Sequence, residues 1–438
     1  MSEGPHRGRR WRRRARAARL TGSAVGATMA AAMPLFLLGA LAVQVGGELG
    51  FDATGLGLAI AVFFLASVAS GPLVFRVIER IGPRAGVAVT SALCAGALVI
   101  VAGVADGYGG LLAGMALGGV GQAFGQPSAN GLLSRGLAGG RQGLAFGIKQ
   151  TAVPATSLLA GAAVPLVALT VGWRWAYVGA AVLLAAVPLL VPRHAVDRAA
   201  PGSTSVGSAG SAGSAASVGS AASRPAGAAP SPAGERARPQ LTPALGLLAI
   251  AGALAAAPTM TLSSFTVDSA VAHGVSEGAA GVLLAYGSAV SIAARLTGGA
   301  LADRVGIDPR RTMAGLMALG APAVALLGTA TAPAALVVLV TVAFGAGWGW
   351  NGLMDLTVVR LNRAAPAAAT SAMLTGFFAG AALGPLGFGV LVDAAGYGAA
   401  WAVAGGMLLV ASGFVTVAGR VPGAAPPPTP PRRGPATR

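Results

Sequence analysis

Twelve apolar stretches, each near the length needed to cross a bilayer, dominate this chain and leave it few possible folds. They run over 22–46, 55–77, 85–105, 109–133, 143–170 and 175–191 and then, after a break, over 243–268, 278–300, 312–331, 334–358, 367–391 and 398–418. About 20 apolar residues in a helix span roughly 30 Å of hydrocarbon. Inside hydrocarbon every backbone N–H and C=O needs a partner within the protein, so runs of this length are helices, whereas a β-barrel would show short alternating strands. Composition agrees: 438 residues that are 55% hydrophobic and 10% charged, with a mean hydropathy of +0.73, are too apolar for a water-soluble core. The lipid bilayer is therefore the first expected partner.

The net charge of +17 would suit a nucleic-acid binder, but its distribution does not. Eight arginines lie in the first twenty residues and nearly all the rest fall between apolar runs. There is no basic stripe interleaved with stacking aromatics, so no nucleic-acid partner is expected. Arginine instead marks alternate connections: the amino tail, then Arg76, Arg80 and Arg84, then Arg135 and Arg141, the central linker, Arg304, Arg310 and Arg311, Arg360 and Arg363, and the carboxyl tail. The other connections carry Glu48 and Asp52, Asp106, His273 and Glu277, or Asp393, with Arg174 the single exception. By the positive-inside rule both termini and the centre face the cytoplasm, in the inner (cytoplasmic) cell membrane. Trp173, Trp175, Tyr177, Tyr397 and Trp401 open the sixth and twelfth stretches, where amphipathic rings suit the outer interface. The Arg-rich start followed by Met29-Ala30-Ala31-Ala32 resembles a signal peptide, but 22–45 is longer than such a segment and has a counterpart after Leu241. Cys94, alone in an apolar run, has no internal disulfide partner.

That counterpart is part of a repeat. An offset of 224 residues carries Glu79-Arg80-Ile81-Gly82 onto Asp303-Arg304-Val305-Gly306, Pro34 onto Pro258, Gly50 onto Gly274 and Gly57 onto Gly281. Gly299, Asp303, Arg304 and Gly306 form G-x-x-x-D-R-x-G in a short loop followed by Arg310 and Arg311, and this resembles the loop signature of the major facilitator superfamily. The first copy departs from it, with Glu79 for the acid, Phe75 for the leading glycine and Pro83-Arg84 for two basic residues. The resemblance implies an all-α membrane protein of twelve transmembrane helices in two pseudo-symmetric six-helix bundles. The expected parts are a basic cytoplasmic tail (1–20), an N-terminal bundle (21–192), a disordered Ala/Gly/Ser/Pro linker (193–241), a C-terminal bundle (242–420) and a Pro-rich tail (421–438). A monomer is expected.

Transporter sites lie near the midplane between structural repeats. On the fourth stretch Gln122, Gln126 and Asn130 are spaced by four and share a helix face. On the tenth, Asn351 and Asp355 are four apart with Trp348 on the same side, and an offset of 225 relates Gln126 to Asn351 and Asn130 to Asp355. The resemblance implies that the first, fourth, seventh and tenth helices line the cavity, which makes these residues candidates for solute binding. Amides also simply tie neighbouring membrane helices together, and Asp355 is close enough to Arg360 for interfacial relief. Lys149, the one lysine, lies several residues inside the fifth stretch. It either snorkels to the surface or faces the cavity, there to bind an anionic group or pair with Asp355. Arg295 on the eighth stretch either shares that region or ties its helix to nearby carbonyls.

For the motif residues Glu79, Arg80, Asp303 and Arg304 the resemblance implies gating. The acids approach helix amino ends in the opposite half, the fifth for Asp303 and the eleventh for Glu79, where unpaired N–H groups favour negative charge. Gly376, Gly380 and Gly384-Pro385, with Gly143, Gly147, Pro154 and Gly161, suggest where helices slide.

The expected function is secondary active transport of a small polar or anionic solute by alternating access, coupled to protons. Two alternatives stand: proton-driven export of amphipathic compounds, with Phe124, Met260, Phe265 and Met354 lining the cavity, or a non-transporting membrane sensor or scaffold. No phosphate-binding loop, metal-ligand cluster or nucleophile–base spacing is present, so neither a cofactor nor an enzyme activity is expected.

Overall fold

A computed structural model describes residues 4–103, 106–137, 139–192, 243–305, 308–361 and 366–420; within these, the side chains of 4–14, 139–144, 298–305, 355–356, 359–361, 366–369 and 371–372 lie outside the description. The expected linker and carboxyl tail fall outside it too. The described residues are helical throughout: α1 (Gly4–Ala40), α2 (Ala42–Leu49), α3 (Ala53–Gly103), α4 (Tyr108–Gly136), α5 (Gly139–Gln150), α6 (Ala152–Ala163), α7 (Leu169–Val171), α8 (Trp173–Ala186), α9 (Pro243–Ala272), α10 (Glu277–Val305), α11 (Pro309–Leu326), α12 (Pro333–Val342), α13 (Asn351–Leu361) and α14 (Pro366–Ala418). Eight helical stretches among the described residues are long and apolar enough to cross a membrane.

Two of those stretches are folded double. α3 turns at Gly82 (φ 78°) and α14 at Gly396 (φ 80°), left-handed backbone that only glycine adopts without strain. The loop expected after Gly82 is thus a corner of one residue, with Pro83 opening the next helical rod. At the other extreme, α1 begins at Gly4, so the basic tail expected over 1–20 is largely helical. Its alternation of arginine with alanine has high helix propensity, which charge alone does not reveal.

The repeat recurs in the backbone. Gly50 (φ 70°) and Gly274 (φ 86°) are one related pair of left-handed glycines, and Gly172 (φ 103°) and Gly396 (φ 80°) are another. Packing between the halves obeys the same relation. A Cβ added at Gly57 would lie 2.3 Å from the Pro385 carbonyl oxygen, and one at Gly281 would lie 2.7 Å from the carbonyl oxygen of Gly161. The offset of 224 turns Gly57 into Gly281 and Gly161 into Pro385. Two seams, α3 on α14 and α6 on α10, are therefore made by corresponding residues, as a pseudo-twofold axis requires.

Candidate functional site

Of the helices expected to carry the site residues, the fourth is continuous (α4) and the fifth and tenth are broken. The fifth stretch stops at Gln150, resumes at Ala152, and has a wide π turn over Val164–Ala168. Pro154 supplies the reason. It has no N–H to give to the Gln150 carbonyl, and Thr151 N bonds Ile148 O at 3.1 Å in a tighter turn instead. The tenth stretch has a π turn over Ala343–Gly347 and an irregular turn at Trp348-Gly349-Trp350 before α13. Here glycine allows α11 to press in: a Cβ at Gly320 would lie 2.6 Å from Gly347 Cα. Trp348 therefore stands outside the regular helix of Asn351 and Asp355, and the spacing that put all three on one side does not hold.

Arg295 joins the two breaks. Its guanidinium donates to Gln150 O at 3.1 Å and to Trp348 O at 3.4 Å, and lies 5.5 Å from the centre of the Trp348 ring. One side chain thus bonds main-chain carbonyls in opposite halves. Trp348 is fully buried, against Phe344 at 5.6 Å and, across the halves, Phe36 at 6.2 Å between ring centres.

Lys149, one residue before that carbonyl, points into its own half. It is 1% exposed, and its Nζ donates to Asn130 Oδ1 at 2.8 Å. The side chain therefore turns towards α4 instead of snorkelling to the interface. Further along the same face, the Gln122 and Gln126 amides each keep a buried oxygen without a partner among the described residues, as do Asn130 Nδ2 and the Trp348 indole N–H. Asn351 is half-buried at the start of α13. The side chain of Asp355 lies outside the described residues, and so does any pairing with Lys149.

The motif residues come out differently. Asp303 and Arg304 end α10, with side chains outside the described residues, as are those at the expected helix starts. Glu79 and Arg80 are exposed, and among the described residues Glu79 has no hydrogen-bond or ion-pair partner. Gly376, Gly380 and Gly384 pack on Ala249, Ala253 and Ala257 of α9 in the same half, which makes them internal spacers, not a sliding surface.

At the opposite, arginine-poor end the halves meet closely. Gln44 Nε2 donates to Glu277 Oε2 and Thr54 N to Asp393 Oδ2, both at 2.8 Å, while nearer mid-depth Ser288 Oγ bonds Ser157 Oγ at 2.9 Å. Polarity on each element is visible in the sequence, but nothing along the chain pairs residues that are 131 to 339 positions apart. Asp268 of α9, absent from the expected residues, accepts from the Tyr397 hydroxyl, and Trp401 Nε1 donates to Ser269 Oγ at 2.9 Å. Arg174, the exception to the charge pattern, is paired with Glu48, which also accepts from Trp173 Nε1 at 2.5 Å. The Arg174 bond, then that from Trp173, holds the Glu48 carboxyl below the ordinary carboxylate range.

Two related helical halves, closed at one end and broken beside the buried Lys149 and the half-buried Arg295, define a multi-pass membrane transport protein. The chain belongs to the Major Facilitator Superfamily, whose family model matches residues 23–373 and, in a second match, 248–438. It is similar in structure to a bacterial homologue of the human lysosomal transporter Spinster, in inward-facing unoccupied and occupied conformations. TM-scores are 0.65 and 0.66 at 16% and 15% identity, over 92% of this chain and 95% and 96% of those. Among curated proteins none matches significantly. At such identity the likeness establishes the fold.

Proposed function

We propose that this chain is a twelve-helix secondary transporter that moves a small polar or anionic solute by alternating access, driven by protons. The observation that carries the reading is the pair of broken helices meeting at Arg295, with Lys149 and the Gln122–Gln126–Asn130 face beside them. Leaving a buried polar group unpartnered costs about 1–3 kcal/mol. A solute that accepts from the Trp348 indole and donates to the glutamine oxygens removes that cost. In this reading Lys149, Asn130, Gln122, Gln126, Trp348, Asn351 and Asp355 contact the solute. Lys149 orients an anionic group or exchanges it for Asp355, and a proton taken up by Asp355 would free the lysine.

Among the described residues the halves meet at the arginine-poor end through Gln44–Glu277 and Thr54–Asp393 and deeper in the molecule through Arg295, while Glu79 and Arg80 are exposed. In this reading the arginine-rich side is cytoplasmic, in an inner-membrane protein with both termini inside, and the arginine-poor side is the one held closed here. Glu79, Arg80, Asp303 and Arg304 then act when the cytoplasmic side closes, and Arg295 keeps the two breaks in register. A monomer suffices, since both halves of the site lie on one chain. The reading is tested by solute flux in proteoliposomes with and without an imposed proton gradient. Flux that ignores the gradient removes proton coupling, and no flux for any polar or anionic solute bound by the purified protein removes transport.

Export of amphipathic compounds has one supporting observation. A largely apolar cleft of about 360 Å³ lies between α9 and α14, lined by Pro258, Thr261, Leu383, Phe388 and Met407 among others. The side chains expected to line such a path, Phe124, Met260, Phe265 and Met354, are instead buried in packing.

A further inference from the structure

The arginine-poor seam contains acids that the solute site does not use. Asp393 is exposed just before the Gly396 corner of α14, and its Oδ2 accepts from Thr54 N in the first turn of α3, in the opposite half. Asp52 of α3's own half caps the same turn, accepting from Gly55 N at 2.8 Å, and the Tyr108 hydroxyl of α4 donates to Gly55 O at 2.7 Å. Behind Asp393, Tyr397 donates to Asp268, and Asp268, Tyr397 and Asp393 interact electrostatically. The His273 ring stands 6.0 Å from Tyr397, with its two nitrogens 2.6 Å and 2.9 Å from the carbonyl oxygens of Ser269 and Gly328. Glu277 is engaged by Gln44, and Arg174 by Glu48.

At the repeat-related seam no acid stands at the corresponding position. Residue 169 corresponds to Asp393, and there the apolar Leu169 packs on Gly278: a Cβ at Gly278 would lie 3.3 Å from it. The polar latch therefore belongs to one seam only. The other is joined by the Ser288–Ser157 hydroxyl pair and, at the first residue of α10, by Gln44 and Glu277.

We propose that Asp393, beside the Tyr397–Asp268 pair, forms a proton-binding latch on the outer side, shut when Asp393 is charged and released when it takes up a proton. The reading rests on the alternating-access assignment above. A carboxylate at the amino end of a helix gains from both the charge-assisted bond and the helix dipole, and a neutral carboxyl loses most of that gain. The bond to Thr54 N exists only with the outer side closed, so closure favours the charged acid, and proton uptake by linkage favours opening. Asp393 reaches bulk water directly, so the proton arrives from outside.

The test is a distance measurement across the seam by spin labels at Leu58→Cys and Val390→Cys, both at exposed positions, in a full-length chain carrying Cys94→Ala. The closed distance is expected to dominate at neutral pH and a longer one to grow as the pH falls towards 4. In Asp393→Asn the longer distance is present at neutral pH and the response to pH is lost. Asp393→Glu, which keeps the acid, retains the response and serves as the control for folding. A pH response in Asp393→Asn equal to that of the parent overturns the latch, as does its absence from the parent. The measurement needs no solute: a pH-driven opening without flux keeps the latch and removes the transport reading, whereas proton-driven flux with a pH-insensitive seam does the reverse.

Discussion

Arg295 donates to the carbonyl oxygen of Gln150 across the two halves at 3.1 Å, and Pro154 is the reason that oxygen is open to it. In an unbroken helix the N–H of residue 154 would bond there, but proline has none. The proline in one half and the arginine in the other thus form one unit, although no pattern along the chain connects them.

Replacing Arg295 by alanine should lower stability by about 1.5–3 kcal/mol, the usual worth of hydrogen bonds to a charged group. Pro154→Ala gives the Gln150 carbonyl a helical partner again. The double variant should therefore lose less than the sum of the two single changes, by about 0.5 kcal/mol or more. Thermal unfolding in detergent measures the cycle, and strict additivity would mean that the two residues act separately.

Lys149→Ala removes the cation that bonds Asn130. Solute flux is expected to fall at least tenfold, about 1.4 kcal/mol of interaction, and the thermal shift produced by bound solute should shrink with it. Normal flux with an unchanged range of solutes would take Lys149 out of the site.

The seam glycines should respond alike because they correspond. Gly57→Ala sets a methyl against the Pro385 carbonyl, and Gly281→Ala sets one against Gly161 and Val164. Backbone cannot yield as a side-chain end does, so each change should cost about 1–3 kcal/mol of the closed state. Spin-label distances across each seam would report it as a shift towards the open population. The assignment of these contacts to the closed state fails if both variants keep the parent's distances.

At low pH the Glu48–Arg174 pair should fail. The Glu48 carboxyl is held below its ordinary value of 4.5, so its contribution is present above that value and lost as pH falls through the lowered one. Unfolding temperatures of the parent and of Glu48→Gln should differ at pH 7 and converge as pH falls through the lowered value. Both side chains are exposed by more than a third, so the difference at pH 7 will be small and salt-sensitive. A difference that does not diminish with acidification would assign the effect to packing around Trp173.

Much of this molecule was determined by its sequence alone. Apolar runs of bilayer length force helix, because hydrocarbon offers the backbone no other partner, and the offset of 224 already related Gly57 to Gly281 before either was seen at a seam. The grouping of Gln122, Gln126 and Asn130 follows from helical spacing within one element. Tertiary structure decided what lies between elements. That Lys149 turns to Asn130, that Arg295 bonds both Gln150 and Trp348, and that Asp393 closes on Thr54 depend on which surfaces meet, and hydropathy is blind to that. It also decided where helices break, since the gap at Trp348–Trp350 needs α11 pressing at Gly347 as well as glycines that permit it. A sequence fixes the bonding each residue requires, and only the folded chain determines which neighbour supplies it.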